Sequence, residues 1–225
     1  KKIFYMYNKL SDIYSSISLD ILSQKYPPNT ILKERDLAVK YKTSRTTVRQ
    51  ILQKLSHENK IIINPRSKTL VKKINLEKIQ QSFLLRQCLE LTVATMIIRK
   101  IQLQDLQFLA ENIQKQNKLL FKYNKSKNKK YIQLDNQFHQ YLFKICGLQA
   151  FWKIITEYNF DFDRLRHISA GNKERCVEST NEHIKIFNAI KSKKTSSLKK
   201  AIKFHFSNSK EYYKDLLKLH KEIIE

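Results

Sequence analysis

Glycine and proline are almost missing from this chain: 225 residues contain two of the first and three of the second. These are the residues that end helices and shape tight turns. Pro27, Pro28 and Pro65 all fall in the first third. The remainder has almost no strong breakers and reads as helix after helix. Cysteine is also scarce. Cys88, Cys146 and Cys176 are odd in number and widely spaced, with no C-x-x-C pair. That excludes a disulfide framework or a zinc ribbon and fits reduced thiols in a cytoplasmic protein. No run approaches the roughly 20 apolar residues that cross a bilayer, so no membrane partner is expected. The opening "KKIFYMYNKL" lacks the apolar core and small-residue cleavage site of a signal peptide. Acid is in short supply as well: 20 Asp and Glu stand against 44 Lys and Arg, a net charge of +24. Such an excess favours a polyanionic partner, most simply nucleic acid. An AT-rich genome also enriches Lys, Ile and Asn together, so charge alone does not decide the function.

What is present divides the chain at about residue 75. Between Lys9 and Gln24, Leu10, Ile13, Ile17 and Ile21 recur at helical spacing, and "YPPNT" ends that helix. A short helix is expected from Lys33 to Tyr41, with Leu37 and Ala38 inward. "KTS" then breaks the chain before the stretch "TSRTTVRQILQKL", Thr43 to Leu55. "IIIN" and "TLVKKI" flank the turn "PRSK" as a hairpin. From Leu76 the patterns are only helical, over about 76–101, 105–123, 129–146, 149–168, 175–192 and 196–222. The expected units are thus residues 1–74, mixed α and β, and 75–225, all α.

With Ser44 as N-cap and about 100° per residue, Val48, Ile51, Leu52 and Leu55 gather on one face of the third helix. Arg45, Thr46, Arg49, Gln50 and Gln53 gather on the other. A helix lying in a DNA major groove needs such a cationic face rich in amides and hydroxyls, because Arg forks onto guanine and Gln onto adenine. An ordinary solvated amphipathic helix carries a similar pattern; the preceding helix and the following hairpin favour the DNA-reading form. The segment "ILKERDLAVKYKTSRTTVRQILQKLSHENKIIINPRSKTLV" resembles the winged helix-turn-helix of the GntR family of bacterial transcription regulators, through Glu34, Arg35, Leu37, Ala38, Ser44, Arg45, Thr47, Val48, Arg49 and Leu55. The resemblance implies that Arg35, Arg45 and Arg49 contact DNA with Ser44, Thr46 and Thr47 beside them, while Gln53 lies on the same exposed face. Lys33 stands where the family has a capping serine. The glycine-rich wing tip is replaced by "NPRSK", which offers Arg66 and Lys68 to the minor groove.

Downstream, polar side chains interrupt apolar stripes. Asp135 and His139 are four apart and share a face with Ile132, Phe138 and Leu142. His183 shares one with Phe187 and Ile190, and His205 one with Leu198, Ala201, Ile202 and Tyr212. Folding the last two helices into a hairpin about Lys194 brings His183 and His205, each eleven residues away, to the same height. A single inward histidine is ordinarily a hydrogen-bonded core residue. Three, with a carboxylate, form a candidate site for a divalent transition metal such as Zn, Ni or Mn. Glu182, next to His183, is expected to face elsewhere. "LRQCLE", "LDNQFHQYLF", "EHIKIFNAIKSKK" and "AIKFHF" resemble the all-helical FCD effector domain of the FadR subgroup. That resemblance implies Asp135, His139, His183 and His205 as metal ligands, and a small carboxylate effector received by the metal and by Arg86 and Arg166. Leu148 and Gln149 follow Gly147 where the family has an asparagine.

The fold expected is therefore mainly α: an N-terminal winged helix-turn-helix, then an all-α antiparallel helical bundle. The function expected is that of a DNA-binding transcriptional regulator, a repressor, acting as a homodimer on double-stranded operator DNA under control of a small carboxylate. It is not expected to be an enzyme. The rivals are a metal-dependent hydrolase, for which no positioned general base or nucleophile is evident, and a non-specific nucleic-acid-binding protein.

Overall fold

The computed structural model describes residues 2–64, 68–121 and 128–225. Two compact units emerge, one of residues 1–75 with 222–225, the other of residues 76–221.

The first unit runs α1 (Lys2–Leu22), α2 (Glu34–Lys40), α3 (Arg45–His57), β1 (Ile61–Ile63) and β2 (Thr69–Val71). Its core is the set that helical spacing selects: Ile13, Ile17 and Ile21 from α1, Leu37 and Ala38 from α2, Val48, Ile51, Leu52 and Leu55 from α3. Full burial of each large aliphatic side chain contributes about 1.5–3 kcal/mol. β1 and β2 pair antiparallel in the register Ile61 with Val71 and Ile63 with Thr69, and Ile31 bridges to Leu70 on the other side. With glycine so scarce, left-handed turn positions fall to other residues. Lys42 (φ 48°) makes the turn between α2 and α3, and Asn59 (φ 59°) follows α3; Asn tolerates this region best among non-glycines. The C-terminal tail returns to this unit. Ile74 N–H donates to Ile223 O (2.9 Å), and Glu225 N–H donates to Ile74 O (3.0 Å). Helical periodicity gives no hint of that return.

The second unit is helical throughout: α4 (Leu76–Lys100), α5 (Leu103–Phe121), α6 (Asn128–Cys146), α7 (Gln149–Tyr158), α8 (Phe160–Ser169), α9 (Lys173–Lys191) and α10 (Thr195–Leu219). α9 packs against both α5 and α10, and α4 against α6, α7, α8 and α10. Gly147 (φ 74°) closes α6 in the left-handed conformation that glycine adopts without penalty. The helix expected over 149–168 is two helices. The break at buried Asn159 needs no glycine or proline, because the Ser82 hydroxyl on α4 donates to Tyr158 O (3.1 Å) and takes one of the carbonyls a helix end exposes.

Candidate functional site

α3 begins as its sequence dictates. Ser44 is extended (φ −77°, ψ 154°) and its hydroxyl oxygen accepts from Thr47 N–H at 3.1 Å. Arg45, Thr46, Arg49, Gln50 and Gln53 are all exposed on the outer face; Thr47 is half-buried, its hydroxyl 2.9 Å from that of Ser44. Arg35 on α2 and Lys68 beside β2 are exposed too, whereas Arg66 lies outside the described residues. Arg49 is tied down. Its Nε and Nη2 donate to the two carboxylate oxygens of Glu34, each at 2.9 Å, a fork that links α3 to α2. That hydrogen-bonded fork also holds the Glu34 carboxyl below its ordinary pKa. Lys33, at the N-cap of α2, makes no side-chain cap, so the serine that the family places there has no substitute.

In the second unit Asp135 and His139 come from α6, His183 from α9 and His205 from α10, all four buried. One ring nitrogen from each of His139, His183 and His205 lies within 4.8 Å of the others. His139 Nε2 is 3.2 Å from His183 Nε2. Every Nδ1 is occupied from outside. His139 Nδ1 lies 2.8 Å from Glu90 Oε2, His183 Nδ1 3.0 Å from Gln116 Oε1, and His205 Nδ1 2.6 Å from Glu182 Oε2. The carboxylates can only accept, and Gln116 Nε2 is itself spent donating to Asn112 Oδ1 (2.7 Å), so each Nδ1 carries the proton and donates. The Nε2 atoms then face inward as lone pairs. Burial foremost, then Arg86, pushes the His139 pKa well down. Burial takes His183 to about 3 against the opposing pull of Asp135. Both rings are neutral at physiological pH. Two lone pairs 3.2 Å apart repel unless a cation or proton lies between them, so the donor set fits a divalent metal, in the pattern of outer acceptors that fixes metal-ligating imidazoles.

Asp135 faces the same point with one oxygen, Oδ1, 3.5 Å from His183 Nε2; its other oxygen accepts from Arg166 Nη2. Burial alone would raise its pKa, but Arg166, then His183, hold the carboxyl well below the usual carboxylate range. Arg166 also donates to Asp163 (2.8 Å) and Asn136 (2.7 Å). Arg86 donates from Nε to Glu90 Oε1 (2.8 Å), so Glu90 holds Arg86 and His139 together. Arg86, Asp135, Arg166 and His205 line one cavity of about 50 Å³, joined by Arg175, Ser209 and Tyr213. Arg86 Nη2 is buried with no hydrogen-bond acceptor among the described residues.

One expectation is reversed. Glu182 does not face away. It accepts from His205, Arg175 and Asn208, and these partners, with His205 first, hold its pKa at about 2 despite its burial. Because α9 is enclosed by α5 and α10, residues 100° apart on it are both inside: His183 turns to Gln116 of α5, Glu182 to His205 of α10. Pattern reading also passed over Gln116 and Arg175. Glu90 had a signal in its spacing of four from Arg86; Gln116 had none.

A winged helix-turn-helix with an exposed cationic helix face, followed by an all-helical unit, defines a DNA-binding transcriptional regulator. Residues 9–71 match the model of bacterial regulatory proteins, gntR family, and residues 81–208 match the FCD domain. The chain is 26% identical over 199 residues to the HTH-type transcriptional repressor RspR of Escherichia coli, covering 88% of this chain and 86% of that protein. It is 20% identical over 209 residues to the uncharacterized HTH-type transcriptional regulator YdhC of Bacillus subtilis, covering 93% of this chain and 92% of that protein. Among solved structures it resembles Escherichia coli McbR/YncC with a TM-score of 0.69 at 15% identity, over 92% of this chain and 98% of that one. The chain belongs to the GntR family, in the form that carries an FCD domain. Its relatives regulate transcription, and the hydrolase reading falls with that. No helix among the described residues is long and apolar enough to cross a membrane.

Proposed function

We propose that the protein is a homodimeric repressor in the cytoplasm whose hold on operator DNA is set by a small carboxylate bound beside a metal. The observation that carries this reading is the convergence of three imidazole nitrogens, each ring fixed from behind by a buried acceptor. His139, His183 and His205, with Asp135 as fourth donor, would hold Zn or Ni, which imidazole suits, or Mn, which the carboxylate of Asp135 favours. When bound, the metal supplies a positive anchor for a carboxylate; it is asked to do no chemistry. Arg86, whose buried Nη2 has no acceptor among the described residues, and Arg166 both line the cavity and supply the rest of the anion site. A cavity of about 50 Å³ suits a ligand of few atoms.

Arg45 and Gln53 read bases, Arg35, Ser44, Thr46, Thr47 and Lys68 position the helix on the phosphates, and Arg49 acts through its fork with Glu34. The RspR relative is named a repressor, which supports repression as the direction of control. Control follows by linkage: a ligand that prefers one arrangement of the pair shifts operator affinity by its differential binding. Elemental analysis and native mass spectrometry of the purified protein test the site. One metal per chain is expected, lost in His183→Ala. Unchanged stoichiometry in that variant refutes the ligand assignment.

A further inference from the structure

Two isoleucines stand in the charged stretch "HKEIIE", His220 to Glu225. α10 stops at Leu219, and a single 3₁₀ turn over Lys221–Ile223 carries the chain off the helix. Ile224 then forms a parallel β-bridge with Ile74. Ile74 N–H donates to Ile223 O and Glu225 N–H donates to Ile74 O, so both backbone polar groups of Ile74 are taken by this tail. Glu225 Oε1 adds an ion pair with Lys72 Nζ at 3.6 Å. Ile74 is fully buried, and Ile223 and Ile224 are half-buried. The place of the bridge matters. Ile74 lies just beyond β2, where Lys72 N–H still donates to Lys60 O (3.1 Å) at the root of the β1–β2 hairpin. The chain passes between its two units at two points, 75–76 and 221–222. α4, with Arg86 and Glu90, follows the first point, and α10, with His205, precedes the second. The bridge ties the two points together.

We propose that residues 222–225 are a latch through which α10 acts on the β1–β2 hairpin. The proposal rests on the reading that the histidine cluster controls operator binding. α4 and α10 pack against each other, and both reach the cluster: α10 through His205, α4 through Glu90, which accepts from His139. A cation that draws the three imidazoles to one point changes how α10 lies on α4. The latch registers that change, because the segments it joins emerge from these two helices. It is also slight. Two hydrogen bonds and an ion pair between partly exposed side chains can open without unfolding the rest. An element with two such states is what a physical account of coupling between distant sites requires.

Glu225→Pro removes the N–H that donates to Ile74 O together with the ion pair, whereas Glu225→Gln keeps the N–H and loses only the charge. Full-length protein, stripped with EDTA or loaded with zinc, is read in two ways: hydrogen exchange at the Ile74 amide and operator affinity by gel shift. In the wild type the Ile74 amide should exchange at different rates in the two states, and operator affinity should differ on the order of 10-fold. In Glu225→Pro the amide should exchange fast in both states and the two affinities should agree within about twofold, with unchanged zinc stoichiometry and circular dichroism. Ile224→Asp, which breaks the bridge from a half-buried side chain, should repeat that result, and Glu225→Gln should keep the wild-type difference. A folded, zinc-binding Glu225→Pro or Ile224→Asp that keeps the wild-type ratio, even with both affinities lowered, overturns the latch and leaves metal control standing. So does an Ile74 amide that ignores zinc while operator affinity responds to it. A wild type with one operator affinity in both states overturns both.

Discussion

The outer face of α3 and the centre of the second unit use overlapping chemistry, arginine and amide nitrogen, under opposite conditions. On α3 these groups stand in water. Arg45 and Gln53 are exposed, and an exposed polar side chain needs no protein partner. In the second unit Arg86, Glu90, His139, His183 and Glu182 are buried, where an unpartnered polar group costs several kcal/mol. Their partners come mostly from other helices: Glu90 spans its helix neighbour Arg86 and His139 of α6, Gln116 of α5 holds His183, and Glu182 spans His205 and Asn208 of α10 and Arg175 of its own helix. A surface that reads a partner can be changed one residue at a time. A buried network answers as a unit.

The contrast can be broken most sharply at Glu90. Glu90→Ala strands the Arg86 guanidinium and the His139 Nδ1–H together. Breaking a buried pair in this way should cost about 3–5 kcal/mol, read by urea denaturation, while a loss under 1 kcal/mol would show that water relieves the site. Acid should act on the same cluster. The folded pKa of His183 is depressed to about 3, below the unfolded value of about 6.5. The stability it supplies is full above about 6.5 and drains as pH falls toward 3. Glu182, depressed to about 2, contributes above its unfolded value of about 4.3 and loses that contribution as pH falls toward 2. Metal-free protein should therefore show the second unit melting earlier on acidification than the first; equal acid sensitivity of the two units would go against the burial argument. Arg45→Ala should leave stability within about 0.5 kcal/mol yet cost about 1–3 kcal/mol at one base position per half-site. A uniform loss on every sequence would make Arg45 a phosphate contact. The exposed Arg49 and Glu34 fork should couple only weakly in a double-mutant cycle, because solvent screens the pair; strong coupling would show that the fork is held out of water.

The same contrast explains what the sequence disclosed. α3 was legible residue by residue: its inward set is buried, its outward set exposed, and its serine cap in place. All of that follows from one helix meeting water on one side. The histidine set was legible because three imidazoles and Asp135 recur at helical spacings around a hairpin. Of the side chains that orient them, Glu90 is marked by its spacing of four from Arg86, but Gln116 is 67 residues from His183 and nothing local marks it. Glu182 was misjudged because a helix enclosed by two neighbours has two inner faces. The break at Asn159 and the return of residues 222–225 depend on tertiary hydrogen bonds, from Ser82 and to Ile74, which no periodicity encodes.

On the function proposed, what the histidine cluster holds governs what α3 grips. A gel-shift titration of operator DNA by the full-length protein, loaded with zinc or stripped with EDTA and repeated with His183→Ala, addresses it directly. Stripping should change the wild-type operator affinity, and the variant should show one affinity in both states. Identical operator affinity for loaded wild type, stripped wild type and variant would contradict the account.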